Sequence, residues 1–189
     1  MPSSDPPSPY RVPASLRDLV IIDLLELTGS TTATAALLAM SQASVSRRYQ
    51  KLARELGLRR QNDAPVGSRF GDKPWIGWLR KGVNHHRLAN GVLRVGSGQG
   101  LQPLLNKPPW ADWVSLGRHQ QQHWRALLLL ELLDAVAVTE PPELTEQDND
   151  QLALVEVRPR CDDQVLLICR RDPLVLEICG GINGWGELP

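Results

Sequence analysis

The segment from Ser41 to Leu58 constrains this chain more than any other part of it. Val45, Tyr49, Leu52 and Leu56 recur at i, i+4, i+7 and i+11, one continuous apolar stripe along a helix. Ser41 stands where an N-cap belongs, and Gly57 where a helix ends. Upstream, Leu16, Leu19, Val20, Leu24 and Leu27 give a second helical pattern that Thr28-Gly29-Ser30 terminates. Between them, Ala33 to Ala39 reads as a short helix of small residues, capped by Thr31 or Thr32. Helix, short helix, tight turn and third helix make residues 14–60 an expected helix-turn-helix.

The face opposite the apolar stripe suits nucleic acid. Small residues at its start let the backbone come close to base edges. There Gln42 can pair with adenine and Arg47 with guanine. Arg48, Lys51 and Arg54 lie further along and suit phosphates, which supply affinity without reading sequence. Formal net charge is zero, yet residues 11–60 hold eight basic and four acidic residues, and the rest of the chain is mildly acidic. That asymmetry suits a front half that meets DNA. Charge alone equally fits a basic amphipathic helix that packs in a bundle and shows its charges to water.

A resemblance tips the balance. Thr28-Gly29-Ser30, Ala35, Leu38, Ser41-Gln42, Ser44-Val45-Ser46-Arg47, Leu52 and Glu55-Leu56-Gly57-Leu58 fall, without a gap, at the spacing found in the N-terminal domain of LysR-type transcriptional regulators. The stretch resembles that family over about 43 residues. The resemblance implies a bacterial, cytoplasmic, nucleoid-associated regulator that binds double-stranded DNA as a homodimer. It places Gln42, Ala43, Ser46 and Arg47 against bases, and Ser30, Thr32, Ser41, Arg48 and, by charge, Lys51 near phosphates. Two departures stand out. Thr31 and Ala33 replace a large apolar and a basic residue, and Arg60-Gln61 stands where a wing would begin.

The second half alternates strands and helices, which argues for an α/β sheet. Expected strands are Val92–Val95, Trp113–Leu116, Ala135–Thr139, Leu152–Val157 and Val165–Cys169. His119–Leu133 reads as a helix, and Pro141–Asp150 as an acidic loop. Val92-Leu93-Arg94-Val95-Gly96, Leu132 to Val138 and Leu154 to Leu174 resemble the first lobe of the LysR effector domain, half of a periplasmic-binding-protein-like fold. The expected architecture is thus an α+β chain in two parts, a (winged) helix-turn-helix followed by a truncated α/β lobe. Its expected divisions are a disordered tail at 1–13, the head at 14–60, a degenerate wing and linker helix at 61–91, and the lobe at 92–189. The linker helix, residues 75–90, is expected to break near Gly82 and to carry the dimer contact. With one lobe, a full effector cleft is not expected. Ser97, just beyond the first strand, is the position where the resemblance would put an effector contact, or it simply caps a turn.

Other chemistries find little support. Cys161, Cys169 and Cys179, at spacings of 8 and 10, fit neither a zinc knuckle nor a disulfide framework and read as reduced thiols. His119 and His123 share a helix face but lack further ligands, so no metal or other cofactor is expected. Gly96, Gly98 and Gly100 miss the dinucleotide spacing, and Pro103 follows. No nucleophile has an assignable base, so no enzyme is expected. The six Trp read as packing residues. The polar, proline-rich N-terminus does not read as a signal peptide, and no segment is long and apolar enough to span a membrane. The alternative to a DNA reader is an interaction module that keeps the fold and has lost specific DNA binding.

Overall fold

Eight consecutive residues of the first helix, Val20 to Leu27, are buried. A helical stretch with no exposed face must be enclosed on all sides, and Val20 to Leu27 of α1 (Arg17–Thr28) is, its Asp23 and Glu26 included. Ile21, Ile22 and Leu25 face one core, with Ala35, Val45, Leu58, Phe70 and Ile76. Val20, Leu24 and Leu27 face another, with Val114, Leu116, Leu127, Leu128, Leu132, Leu133, Val136 and Ile168. Each fully buried leucine contributes about 2 kcal/mol by area removed from water.

This computed structural model describes residues 11–14, 16–98, 101, 109–157 and 165–182. The expected tail at 1–13 therefore lies largely outside the described residues, as do Gly100, Pro103, Cys161 and Trp185. After α1 come α2 (Thr31–Leu37), α3 (Gln42–Leu56) and α4 (Pro74–Ala89). The lobe follows with β1 (Leu93–Ser97), β2 (Ala111–Ser115), α5 (Arg118–Gln122), α6 (Trp124–Leu129) and β3 (Ala135–Val138). It closes with α7 (Glu146–Gln151), β4 (Leu152–Val157), β5 (Val165–Arg170) and α8 (Pro173–Ile182). The mixed α/β architecture is as the sequence suggested.

The sheet runs β2-β1-β3-β5-β4. β1 is parallel to both β2 and β3, whereas β5 is antiparallel to both β3 and β4. Its faces bury different partners. Val114, Val136 and Ile168 point towards α1 and α6. Leu93, Val95, Ala135, Leu167 and Cys169 point towards Val175, Cys179 and Ile182 of α8.

Several elements differ from expectation, each for a local reason. Ser30, not Thr31 or Thr32, caps α2, its hydroxyl accepting from Ala33 N–H. α4 runs unbroken through Gly82, because Arg80, Val83, Asn84 and Arg87 anchor its inner face. The expected helix at His119–Leu133 is two short helices joined at His123, and Glu131 then takes a positive φ of 58°. α7 begins inside the expected acidic loop and runs one residue past it, started by a capping box in which Thr145 and Asp148 exchange hydrogen bonds. α8 was not anticipated, although Asp172, whose carboxylate accepts from the N–H groups of Leu174 and Val175, and Pro173 announce it.

Residues 61–73 contain no strand, so no β-wing exists among the described residues. The segment folds inward. Glu26 of α1 accepts hydrogen bonds from Gly67 N–H at 3.0 Å and Phe70 N–H at 2.6 Å, and Phe70 joins the head's core. α4 is held just as firmly. Arg80 pairs with buried Asp23 at 2.7 Å, and Asn84 donates to the Glu131 carbonyl at 2.6 Å. Arg87 donates to Asp134, which also accepts from Arg170 at 2.9 Å and from Arg94 N–H at 2.7 Å.

Candidate nucleic-acid interface

The turn before α3 is built from short polar side chains. The Thr28 and Thr34 hydroxyls lie 2.9 Å apart, which ties the end of α1 to α2. α2 ends through Ala39 in a left-handed conformation, φ 50°, and Met40 N–H returns to the Ala35 carbonyl. Ser41 then caps α3 by accepting from Ser44 N–H, as its sequence position suggested.

One face of α3 is fixed. Val45 is fully buried, and Tyr49 donates its hydroxyl to the Phe70 carbonyl at 3.1 Å. Burial pushes the Tyr49 phenol up, so it stays protonated and donates. The other face is open: Ser41, Gln42, Ala43, Arg47, Arg48, Gln50, Lys51 and Arg54 are exposed, and Ser46 is half-buried. Thr32 is exposed at the start of α2, and Ser30 is half-buried beside it.

Gln42 donates to the Thr31 hydroxyl at 3.0 Å, so the first turns of α2 and α3 lie side by side. Each ends in N–H groups that no carbonyl of its own helix satisfies, and both carry the positive end of a helix dipole. That is an environment for phosphate oxygens. Arg47 hangs over the same turn, its guanidinium 3.5 Å from the Ser44 hydroxyl. Arg48 is engaged with Asp18 of α1 at 2.8 Å, and Lys51 lies 3.8 Å from Glu55. All four partners are well exposed, so these pairs are weak and exchangeable.

Sequence reasoning left two features unassigned. Thr31 bridges the helices, a contact eleven residues long that no periodicity reveals. Arg60 stacks over the Phe70 ring at 5.0 Å, extending the basic surface beyond the end of α3.

Ser97 is elsewhere. It ends β1, is fully buried, and its hydroxyl finds no hydrogen-bond partner among the described residues. His119 and His123 are exposed, with their rings 4.6 Å apart, and no group of three or more possible metal ligands exists among the described residues. Of the Trp residues, Trp110 is buried while Trp78 is 76% exposed on the outer face of α4. No helix among the described residues is long and apolar enough to cross a membrane.

No protein-family model matches the chain, and no curated protein matches it in sequence. Many solved structures similar to it are LysR-family regulators. CrgA, a LysR-type transcriptional regulator from Neisseria meningitidis, aligns at TM-score 0.32 and 17% identity, over 75% of this chain and 53% of that one. A full-length AphB variant aligns at 0.41 and 17%, over 76% and 53%. An OxyR mutant from Corynebacterium glutamicum aligns at 0.37 and 17%, over 80% and 52%. The chain spans about half the length of each.

Proposed function

We propose that this chain is a sequence-specific DNA-binding transcriptional regulator of the LysR type, with α3 entering the major groove. One observation carries the reading: α3 buries a single stripe and leaves its first two turns open, with Gln42, Ala43 and Arg47 outward beside the start of α2. Gln42, Ala43, Ser46 and Arg47 then face base edges. Ser30, Thr32, Ser41, Arg48 and Lys51 take phosphates, with Arg48 releasing Asp18. Operator symmetry calls for two copies. The outer face of α4, with Trp78 and Leu79 exposed, is where a second copy sits in this reading.

The test is selection of genomic fragments by the purified protein, beside the double variant Gln42→Ala, Arg47→Ala. The expected result is a short inverted-repeat site that the double variant loses. Equal weak retention of all fragments by both proteins would overturn the reading. A second reading is an interaction module that keeps the fold without specific DNA binding. It is favoured by residues 61–73, which hold no strand and leave no wing among the described residues. Salt separates the two, because phosphate contacts impose a steep dependence on ionic strength that a protein partner lacks.

A further inference from the structure

Cys169 on β5 and Cys179 on α8 face each other across the contact between sheet and helix, their sulfurs 3.2 Å apart. Both side chains are buried, 0% and 1% exposed, and both are free thiols. Neither belongs to the surface assigned to DNA. A tetrahedral metal bound at about 2.3 Å would ask for two further ligands, and the described residues hold no such group. A bond between the sulfurs asks for much less. It requires an approach of roughly 1 Å, since a disulfide spans about 2.0 Å.

We propose that Cys169 and Cys179 form a reversible dithiol–disulfide pair, oxidised by low-molecular-weight disulfides, that staples α8 to β5. The two thiols have unequal roles. Cys169 lies in a strand hydrogen-bonded on both sides, to β3 and to β4. Cys179 lies near the end of α8 and is followed by Gly180 and Gly181, which weaken the last helical turn. That turn opens more readily than the sheet, so Cys179 is the thiol that meets the reagent. The hydrogen bond between the sulfurs holds the Cys179 thiol below its usual range and pushes that of Cys169 well above it.

The chemistry balances as two exchanges. The Cys179 thiolate attacks one sulfur of the reagent disulfide. The reagent's S–S bond breaks, a mixed disulfide forms on Cys179, and one small thiolate leaves. Cys169 then loses its proton and attacks the Cys179 sulfur, the mixed bond breaks, and a second small thiolate leaves. Two protein thiols are oxidised to one disulfide, the reagent is reduced to two small thiols, and the two protons end on them.

The test equilibrates the full chain in glutathione buffers from reducing to oxidising, then quenches, unfolds, alkylates and maps the cysteines by mass spectrometry. The expected result is a loss of two alkylation sites as the buffer is made oxidising, with a peptide linking Cys169 to Cys179. Cys161→Ser leaves the midpoint unchanged, and Cys169→Ala or Cys179→Ala abolishes the linked peptide. Mapping the unaltered chain decides the matter even where a variant fails to fold. Full alkylation at the most oxidising ratio would overturn the proposal. So would glutathione adducts as the sole product, or a linkage through Cys161.

Discussion

At the scale of residues, two buried carboxylates answer to pH in opposite senses. Burial alone pushes the Asp134 carboxyl up, but the charges of Arg87 and Arg170, with hydrogen bonds from Arg87 and Arg94 N–H, outweigh it and hold the group below its usual 3.8. Its contribution to stability is present above that value and lost as pH falls through the depressed one. Asp134→Asn strands the Arg87 guanidinium inside the protein and is expected to cost about 3–5 kcal/mol in chemical denaturation. Glu26 goes the other way. Burial raises it above 4.5 despite the N–H groups of Phe70 and Gly67 and the charges of Arg69 and Arg80. An acid raised on folding contributes most below its unfolded pKa, and loses that contribution as pH rises through the folded one. Melting curves above pH 4.5 are therefore expected to fall more steeply with pH for the native chain than for Glu26→Gln. Parallel curves would refute it.

At the scale of elements, α4 offers a direct test of how packing overrides propensity. Gly82 lies mid-helix and exposed, with nothing within 4 Å of an added Cβ. Gly82→Ala is expected to stabilise the chain by about 1 kcal/mol, seen as a raised denaturation midpoint. The same glycine explains a misreading. Local propensity puts a break there, while Arg80, Asn84 and Arg87 on the inner face hold the helix straight through contacts 47 to 57 residues away. α3 was legible because its stripe, its cap and its terminating glycine all agree within one short window. The order of the strands in the chain was legible from short apolar runs alternating with helical and turn-forming segments. The fate of residues 61–73 was not, since it depends on Glu26, more than forty residues upstream. Nor was the division of His119–Leu133, where buried Gln120 and the turn at His123 interrupt an otherwise plausible helix. Of the candidate interface, the open positions could be named in advance, but the Thr31 bridge and the Asp18 partner of Arg48 could not.

At the scale of the whole molecule, the head and the lobe share α1. Ile21, Ile22 and Leu25 serve one core, and Val20, Leu24 and Leu27 the other. Loss of either core exposes half of that helix and its buried Asp23 and Glu26. Thermal unfolding is accordingly expected to be a single cooperative transition, the same by tryptophan fluorescence, which reports on the lobe and α4, and by far-ultraviolet circular dichroism. Two resolved transitions would show that the cores are independent.

The doubly enclosed helix also bears on modularity. Many proteins exchange their parts because a linker lets each part keep its own interior. Here the boundary between the parts is itself interior. A foreign head grafted onto α4 and this lobe would have to bring a first helix complementary to a sheet it had never met, down to a carboxylate for Arg80. The two parts of this chain are free to change only together.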